Sequence, residues 1–255
     1  MLTGRGSGRC MAERSAMKKS GKPAMEKALL SPGALHVVTT QDLESYVRVS
    51  AGTRPSPATL TRWVRALTET GALQQVSRGV YLNRLAGPAV HPAEAAQYIR
   101  RGAVVSLAWV LERSAALNNF GDTVTCVVPQ VPGMAPPKVG ERDTVAGPFR
   151  FYAMPDRLIH AGSSRLEDVQ DLHYSYPRAT PERALLDWIY LGASVRSRLP
   201  LPPLDIQLRG MSQSRLARLA KAMGIEEEWR HWRACWRARE QAGDVRDNAS
   251  AALGF

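Results

Sequence analysis

The chain has 255 residues, 44% of them hydrophobic and 22% charged, and a net charge of +11. That length suits two ordinary domains, and the composition is that of a folded globular protein, with no apolar run long enough to span a bilayer. The positive excess points to a polyanionic partner. Three widely spaced cysteines, Cys10, Cys126 and Cys235, give neither a disulfide framework nor metal-ligand spacing, so a reduced, cytoplasmic setting is expected.

The charge is unevenly spread. Residues 1–22 hold six Lys or Arg against one acid, residues 23–85 seven against four, and residues 86–255 twenty-one against eighteen. The first segment, MLTGRGSGRCMAERSAMKKSGK, lacks an apolar stretch, so it is expected to be a basic, disordered tail rather than a secretory signal. Such an arm adds salt-sensitive phosphate contacts that carry no sequence information.

Residues 23–34 predict a short helix ended by Pro32-Gly33, and His36 to Val38 a small strand. Thr39 or Thr40 caps the next helix, QDLESYVRVS, and the turn AGTRPSP follows it. At SPATLTRWVRALTETG, Ser56 is a capping residue and Pro57 suits the first helical position. Leu60, Trp63, Val64 and Leu67 share one face, while Arg62, Arg65 and Glu69 lie opposite and Thr59 and Thr61 on the shoulders. Ala72 to Val76 and Val80 to Leu82 predict two strands around Ser77-Arg78-Gly79. Helix, strand, helix, turn, helix, hairpin is the order of a winged helix-turn-helix, which puts the helix after the turn in a DNA major groove and its wing on the backbone. The expected DNA contacts are Ser56, Thr59, Thr61, Arg62, Arg65 and Arg78.

The Pro/Gly run Leu85 to Pro92 predicts a domain boundary. Beyond it, PAEAAQYIRRG predicts a helix stopped at Gly102, and Val104 to Asn118 a second. Thr123 to Val128 and PFRFYAMP predict strands, DRLIHAG a third strand or a turn, and residues 129–148 a loop. ATPERALLDWIYLG is a helix capped by Thr180, with Pro181 first and Gly192 as its stop; Leu185, Leu186, Ile189 and Tyr190 form its buried stripe. Two more helices follow, SQSRLARLAKAMG and EEEWRHWRACWRARE. In the second, Trp229, Trp232 and Trp236 make one aromatic stripe flanked by Arg230, Arg233 and Arg237. Two readings stay open for that stripe: core packing, or a partner-binding face rich in hot-spot residue types. The fold class is therefore α+β, an N-terminal winged helix-turn-helix (23–85) followed by a helix-rich mixed α/β domain (93–240), between the basic tail (1–22) and a frayed end (241–255).

No enzyme motif is present: no HExxH, no GxSxG, no phosphate-cradling GxxxxGK[ST], and no spacing that puts two histidines on one helix face. Asp156 and Glu167 are a faint match to a nuclease carboxylate pair, but Val169 stands where the lysine belongs. Neither a metal nor an organic cofactor is expected, and Asp187 is expected to be a surface or hydrogen-bonding carboxylate.

The winged-helix start, RGVYL at the wing, VVSLAWVLERSAALNNFGD and above all ATPERALLDWIYLG resemble the AbiE-type (AbiEi) antitoxins of bacterial toxin–antitoxin and abortive-infection systems, over roughly residues 30–195. The resemblance implies a winged helix that binds promoter DNA and represses the operon, and a C-terminal domain that counters a nucleotidyltransferase-like toxin. Two other functions remain open: a stand-alone regulator whose second domain senses a ligand or dimerises, and a defence-related nuclease.

Overall fold

The computed structural model describes residues 21–87, 90–118, 121–163 and 165–252, with side chains in the last helix described to residue 242. Most of the basic tail, 1–20, and the final residues 253–255 of the expected frayed end lie outside the described residues; the backbone before them is helical through Ala252. The fold is mixed α/β with two sheets. By its contacts the chain divides into two compact units, one through Ile99 with Thr144–Ala146, the other Arg100–Asp143 with the residues from Gly147 onward.

The first unit begins with a helix over 21–29 (α1). Strand β1 (Val37–Thr39) runs into helix α2 (Thr40–Ala51) through a reciprocal cap: Asp42 N donates to Thr39 Oγ1, and Thr39 N donates to Asp42 Oδ2. That arrangement satisfies two free amides at once. Helix α3 (Pro57–Glu69) is capped by Ser56 and opens with a proline, as its sequence predicts. Strands β2 (Leu73–Ser77) and β3 (Val80–Asn83) form a hairpin, and β1 pairs antiparallel with β3, giving the order β1-β3-β2.

The core of this unit joins Met25 and Leu29 of α1 to Leu43 and Val47 of α2, Leu60, Trp63, Val64 and Leu67 of α3, and Val38 and Leu73 of the sheet. Each such side chain, fully buried, stabilises the fold by roughly 1.5–3 kcal/mol. Asn83, fully buried, ties the pieces together. Its Nδ2 donates to the carbonyls of Leu29 and Leu35, and its Oδ1 accepts from Leu85 N. The unit extends past the Pro/Gly segment through a 3-10 turn (Pro92–Ala95) and a one-turn helix α4 (Ala96–Ile99). Buried Glu94 holds that extension, its carboxylate oxygens lying 2.9 and 3.1 Å from His36 Nδ1 and accepting from His91 N. The helix expected over PAEAAQYIRRG is thus broken in two and ends at Ile99.

In the second unit a four-stranded sheet has the order β4-β5-β7-β6, from β4 (Val104–Val105), β5 (Val124–Gln130), β6 (Gly140–Thr144) and β7 (Gly147–Pro155). β4 is antiparallel to β5 and β5 parallel to β7. Residues 177–179 add to the outer side of β4: Val105 N donates to Pro177 O, and Ala179 N to Val105 O. Two expectations change here, and one left open is decided. The helix read over 104–118 is a strand followed by the short helix α5 (Ala108–Arg113), because Val104 and Val105 pair with β5, Val105 pairs on its other edge as well, and Leu107 turns to φ 63°. The loop read over 129–148 contains β6, a charged edge strand. Of the two readings of DRLIHAG, a strand or a turn, the structure has the second: a single helical turn, α6 (Asp156–Ile159), running into turn residues 160–162.

Ala115 ends α5 in the left-handed region (φ 56°), where Ala116 N and Leu117 N both return to Leu111 O. Glycine suits that position without Cβ strain. Ala115→Gly is therefore expected to raise the stability of this unit by roughly 1 kcal/mol, read as a higher urea midpoint with an unchanged slope.

Glu112 of α5 is 5% exposed, and its Oε2 accepts from Gly121 N at 3.2 Å. Burial raises its carboxyl above the ordinary value, against the smaller opposing effects of that hydrogen bond and of Arg113. With a higher pKa folded than unfolded, the native state holds its proton longer. Stability is then full below the unfolded pKa and declines as pH rises through the folded one. Glu112→Gln removes this titration, so urea unfolding from pH 4 upward should show a flatter profile and a variant more stable than the parent at neutral pH.

After the one-turn helix α7 (Leu166–Val169) comes the central helix of the unit, α8 (Pro181–Ala193), packed against α5, α9 (Gln213–Met223) and α10 (Glu226–Ala252). Thr180 caps it as expected. Gly192 does not stop it: the helix continues to Ala193, and a Cβ on Gly192 would stand 2.8 Å from Leu201 Cα and 3.0 Å from Pro200 O. The glycine is there so that the 199–202 segment can lie on the helix. Cys126 of β5 is fully buried, which pushes its thiol far above the ordinary value and keeps it protonated.

Candidate nucleic-acid interface

The exposed side of α3 carries Ala58, Thr61, Arg62, Arg65 and Glu69, while Thr59 is half-buried and Leu60, Trp63, Val64 and Leu67 face inward. Several of the expected contacts are already engaged within the chain. Ser56 Oγ donates to Thr59 Oγ1 (2.9 Å) and accepts from Thr59 N (3.2 Å), and Thr61 Oγ1 donates to Pro57 O (2.9 Å). With their O–H groups so used, the Ser56 and Thr61 hydroxyls keep lone pairs and serve an incoming donor better than an incoming acceptor, whereas Thr59 Oγ1 accepts and keeps its own O–H. Arg65 Nε lies 2.8 Å from Glu69 Oε1, both well exposed, a pair worth at most about 1 kcal/mol. Arg62 projects from the same face, exposed.

Arg78 is exposed at the tip of the β2–β3 hairpin. The tip is anchored, since Gly79 O accepts from Thr40 N at 2.9 Å. Gly79 has φ 75°, the left-handed geometry that a tight hairpin turn demands. Between α3 and the hairpin lies a groove of about 230 Å3 lined by Thr40, Thr61, Arg65, Thr68, Gln75 and Tyr81. It gathers Thr61 and Arg65 of the expected set but not Arg62, Arg78, Ser56 or Thr59. Sequence reading missed Thr40, Thr68, Gln75 and Tyr81. The exposed position of Gln75 on β2 follows from strand alternation, whereas the approach of Thr40 requires the β1–β3 pairing.

In the second unit the aromatic stripe of α10 is core. Trp229 and Trp232 are buried and stacked at 5.8 Å between ring centroids, and Trp236, half-buried, donates from Nε1 to Ile206 O. The expected partner-binding face therefore reduces to its cations. Arg230 and Arg237 are exposed, while half-buried Arg233 lies over the Trp229 ring.

The carboxylates are also rearranged. Asp156 lies 3.5 Å from His160, and Glu167 is exposed. Its neighbour Asp168 is the buried one, held by Arg215 (3.3 Å) and Arg218 (2.6 Å) of α9. Asp187 is buried as well. It accepts from Ser106 Oγ and from Arg183 Nε, both at 2.7 Å, and Arg183 also donates to the carbonyls of Leu158 and Ala161. This network joins the residue after β4, the α6 turn and α8 and is structural in geometry, since Ser106, Arg183 and Asp187 are all buried and occupied. Among the described residues no three His, Cys, Asp or Glu side chains are placed to share a metal ion, and no helix is long and apolar enough to cross a membrane.

Comparison with protein-family models and with curated proteins finds none that matches the chain.

Proposed function

We propose that the first unit is a winged helix-turn-helix that binds double-stranded DNA, and that the protein is a DNA-binding regulator of its own promoter. The observation that carries this reading is the pairing of α3, whose outward face bears Arg62 and Arg65, with an anchored hairpin that holds Arg78 at its tip. In this reading α3 enters the major groove, Arg62 reads a base edge, and Arg78 contacts phosphate. The groove lined by Thr61, Arg65 and Gln75 takes the edge of the duplex beside the helix.

Binding of the full chain to its upstream DNA, with unrelated competitor and varied salt, tests the reading. Arg62→Ala should cost about 1–3 kcal/mol at one base position and relax specificity there. Arg78→Ala should weaken binding to all sequences and reduce the salt slope by about one. Unchanged affinity in both variants rejects this assignment of contacts.

The antitoxin role is proposed on the resemblance alone, above all that of ATPERALLDWIYLG. It assigns to the second unit the neutralisation of a nucleotidyltransferase-like toxin. Co-expression with the adjacent gene tests it: rescue of growth that survives Arg62→Ala places neutralisation outside the DNA contact.

A further inference from the structure

At one end of the second unit's sheet lies a pocket of about 340 Å3, within the range of small-molecule sites. Its lining includes Gln130 at the end of β5, Arg150 and Tyr152 of β7, Tyr190 of α8, and Arg196 and Arg198 in the turn after α8. Three arginines, each exposed, are among the residues that line it, and no Asp or Glu is among the described residues of that lining. Glu141 stands 3.3 Å from Arg150, but the two side chains are 70% and 48% exposed, so the pair is weak. Arg196 and Arg198 have no carboxylate partner among the described residues.

The turn presenting these two arginines is held in shape. Ser197 Oγ donates to the carbonyls of Leu191 and Ser194 and accepts from Leu199 N. Arg198 occupies the left-handed region at φ 53°, strain of the kind that collects at binding sites. A held turn that brings two arginines without carboxylate partners to the same pocket as a third suits one multidentate anion, and phosphate matches the guanidinium fork. The adjacent tyrosines supply flat apolar surface. Burial raises the Tyr152 phenol above its ordinary value, with nearby Arg150 pulling it down and Glu141 adding to the rise, so it stays a neutral hydrogen-bond donor.

We propose that this pocket binds a mononucleotide, its phosphate among Arg150, Arg196 and Arg198 and its base against Tyr152 and Tyr190. The site stands apart from the DNA-binding reading of the first unit and does not depend on it. Its volume holds one nucleotide rather than a length of strand, and stacking on an aromatic side chain accepts any base.

Calorimetric titration of the full chain with AMP, inorganic phosphate and adenosine tests the proposal. AMP is expected to bind, and phosphate and adenosine each at least ~10-fold more weakly, since each keeps only part of the contact. The double variant Arg196→Ala/Arg198→Gly should weaken AMP by ~10-fold or more. Glycine at 198 fits the backbone there, so this variant keeps its fold, and an unchanged melting curve checks that. Four results overturn the proposal: no AMP binding at millimolar concentration, AMP binding indifferent to the double variant, phosphate binding as tight as AMP, or a single-stranded oligonucleotide that needs these arginines where AMP does not bind.

Discussion

Asp187→Ala is expected to destabilise the second unit by about 3–5 kcal/mol, the usual cost of leaving one member of a buried ion pair alone. Arg183 and Asp187 are 3% and 2% exposed, so solvent cannot take over when the carboxylate is removed. The loss also strips Ser106 Oγ of its acceptor, between β4 and α5. At about 2–4 °C per kcal/mol for a domain of this size, the melting point should fall by roughly 6–20 °C. Tryptophan fluorescence is the right probe, since five of the six tryptophans (109, 188, 229, 232 and 236) belong to this unit. Asp187→Asn keeps an acceptor and should fall between the two. A fall below 1 kcal/mol for the alanine variant, on the same scale, would remove the network from any account of stability.

Trp232→Ala is expected to cost a similar ~3–5 kcal/mol, for a different reason. The ring is 2% exposed, stacks on Trp229, and donates from Nε1 to Pro202 O at 2.9 Å. Its removal opens a cavity and orphans a carbonyl together. Trp232→Phe separates the two effects, because the smaller ring fills much of the space but leaves Pro202 O without its donor, at about 1–3 kcal/mol. Trp236→Ala, at a half-buried site, should cost clearly less than Trp232→Ala. Equal losses at 232 and 236 would contradict the burial seen here.

The first unit was legible in the sequence because its signals are local. Ser56-Pro57 starts α3, Thr39 with Asp42 starts α2, and the hairpin turn is marked by Gly79; each requires only neighbours in the chain. The second unit was legible only in part. Val104 and Val105 open an apolar run that suits helix or strand alike, and what decides is pairing with residues 126–127 and 177–179. β6 reads GERDT, with no apolar alternation, and is a strand through its backbone bonds to β7 alone. Gly192 looked like a helix stop because glycine often is one, and its real constraint comes from Leu201 lying across the helix. At the interface, the polarity of α3 could be read from spacing. The internal engagement of Ser56, Thr59 and Thr61 could not, since it depends on rotamers rather than residue types.

The bond between Ser106 and Asp187 spans 81 residues, whereas the first unit closes its sheet when β3 returns to β1. Contacts so distant along the chain make for slow assembly, and short-range ones for fast assembly. On the ribosome, where folding proceeds from the N-terminus, helix α3 and its hairpin are in place while β4 still waits for α8 to be made. A growing chain thus presents its cationic face to the surrounding polyanions before the rest of the molecule exists.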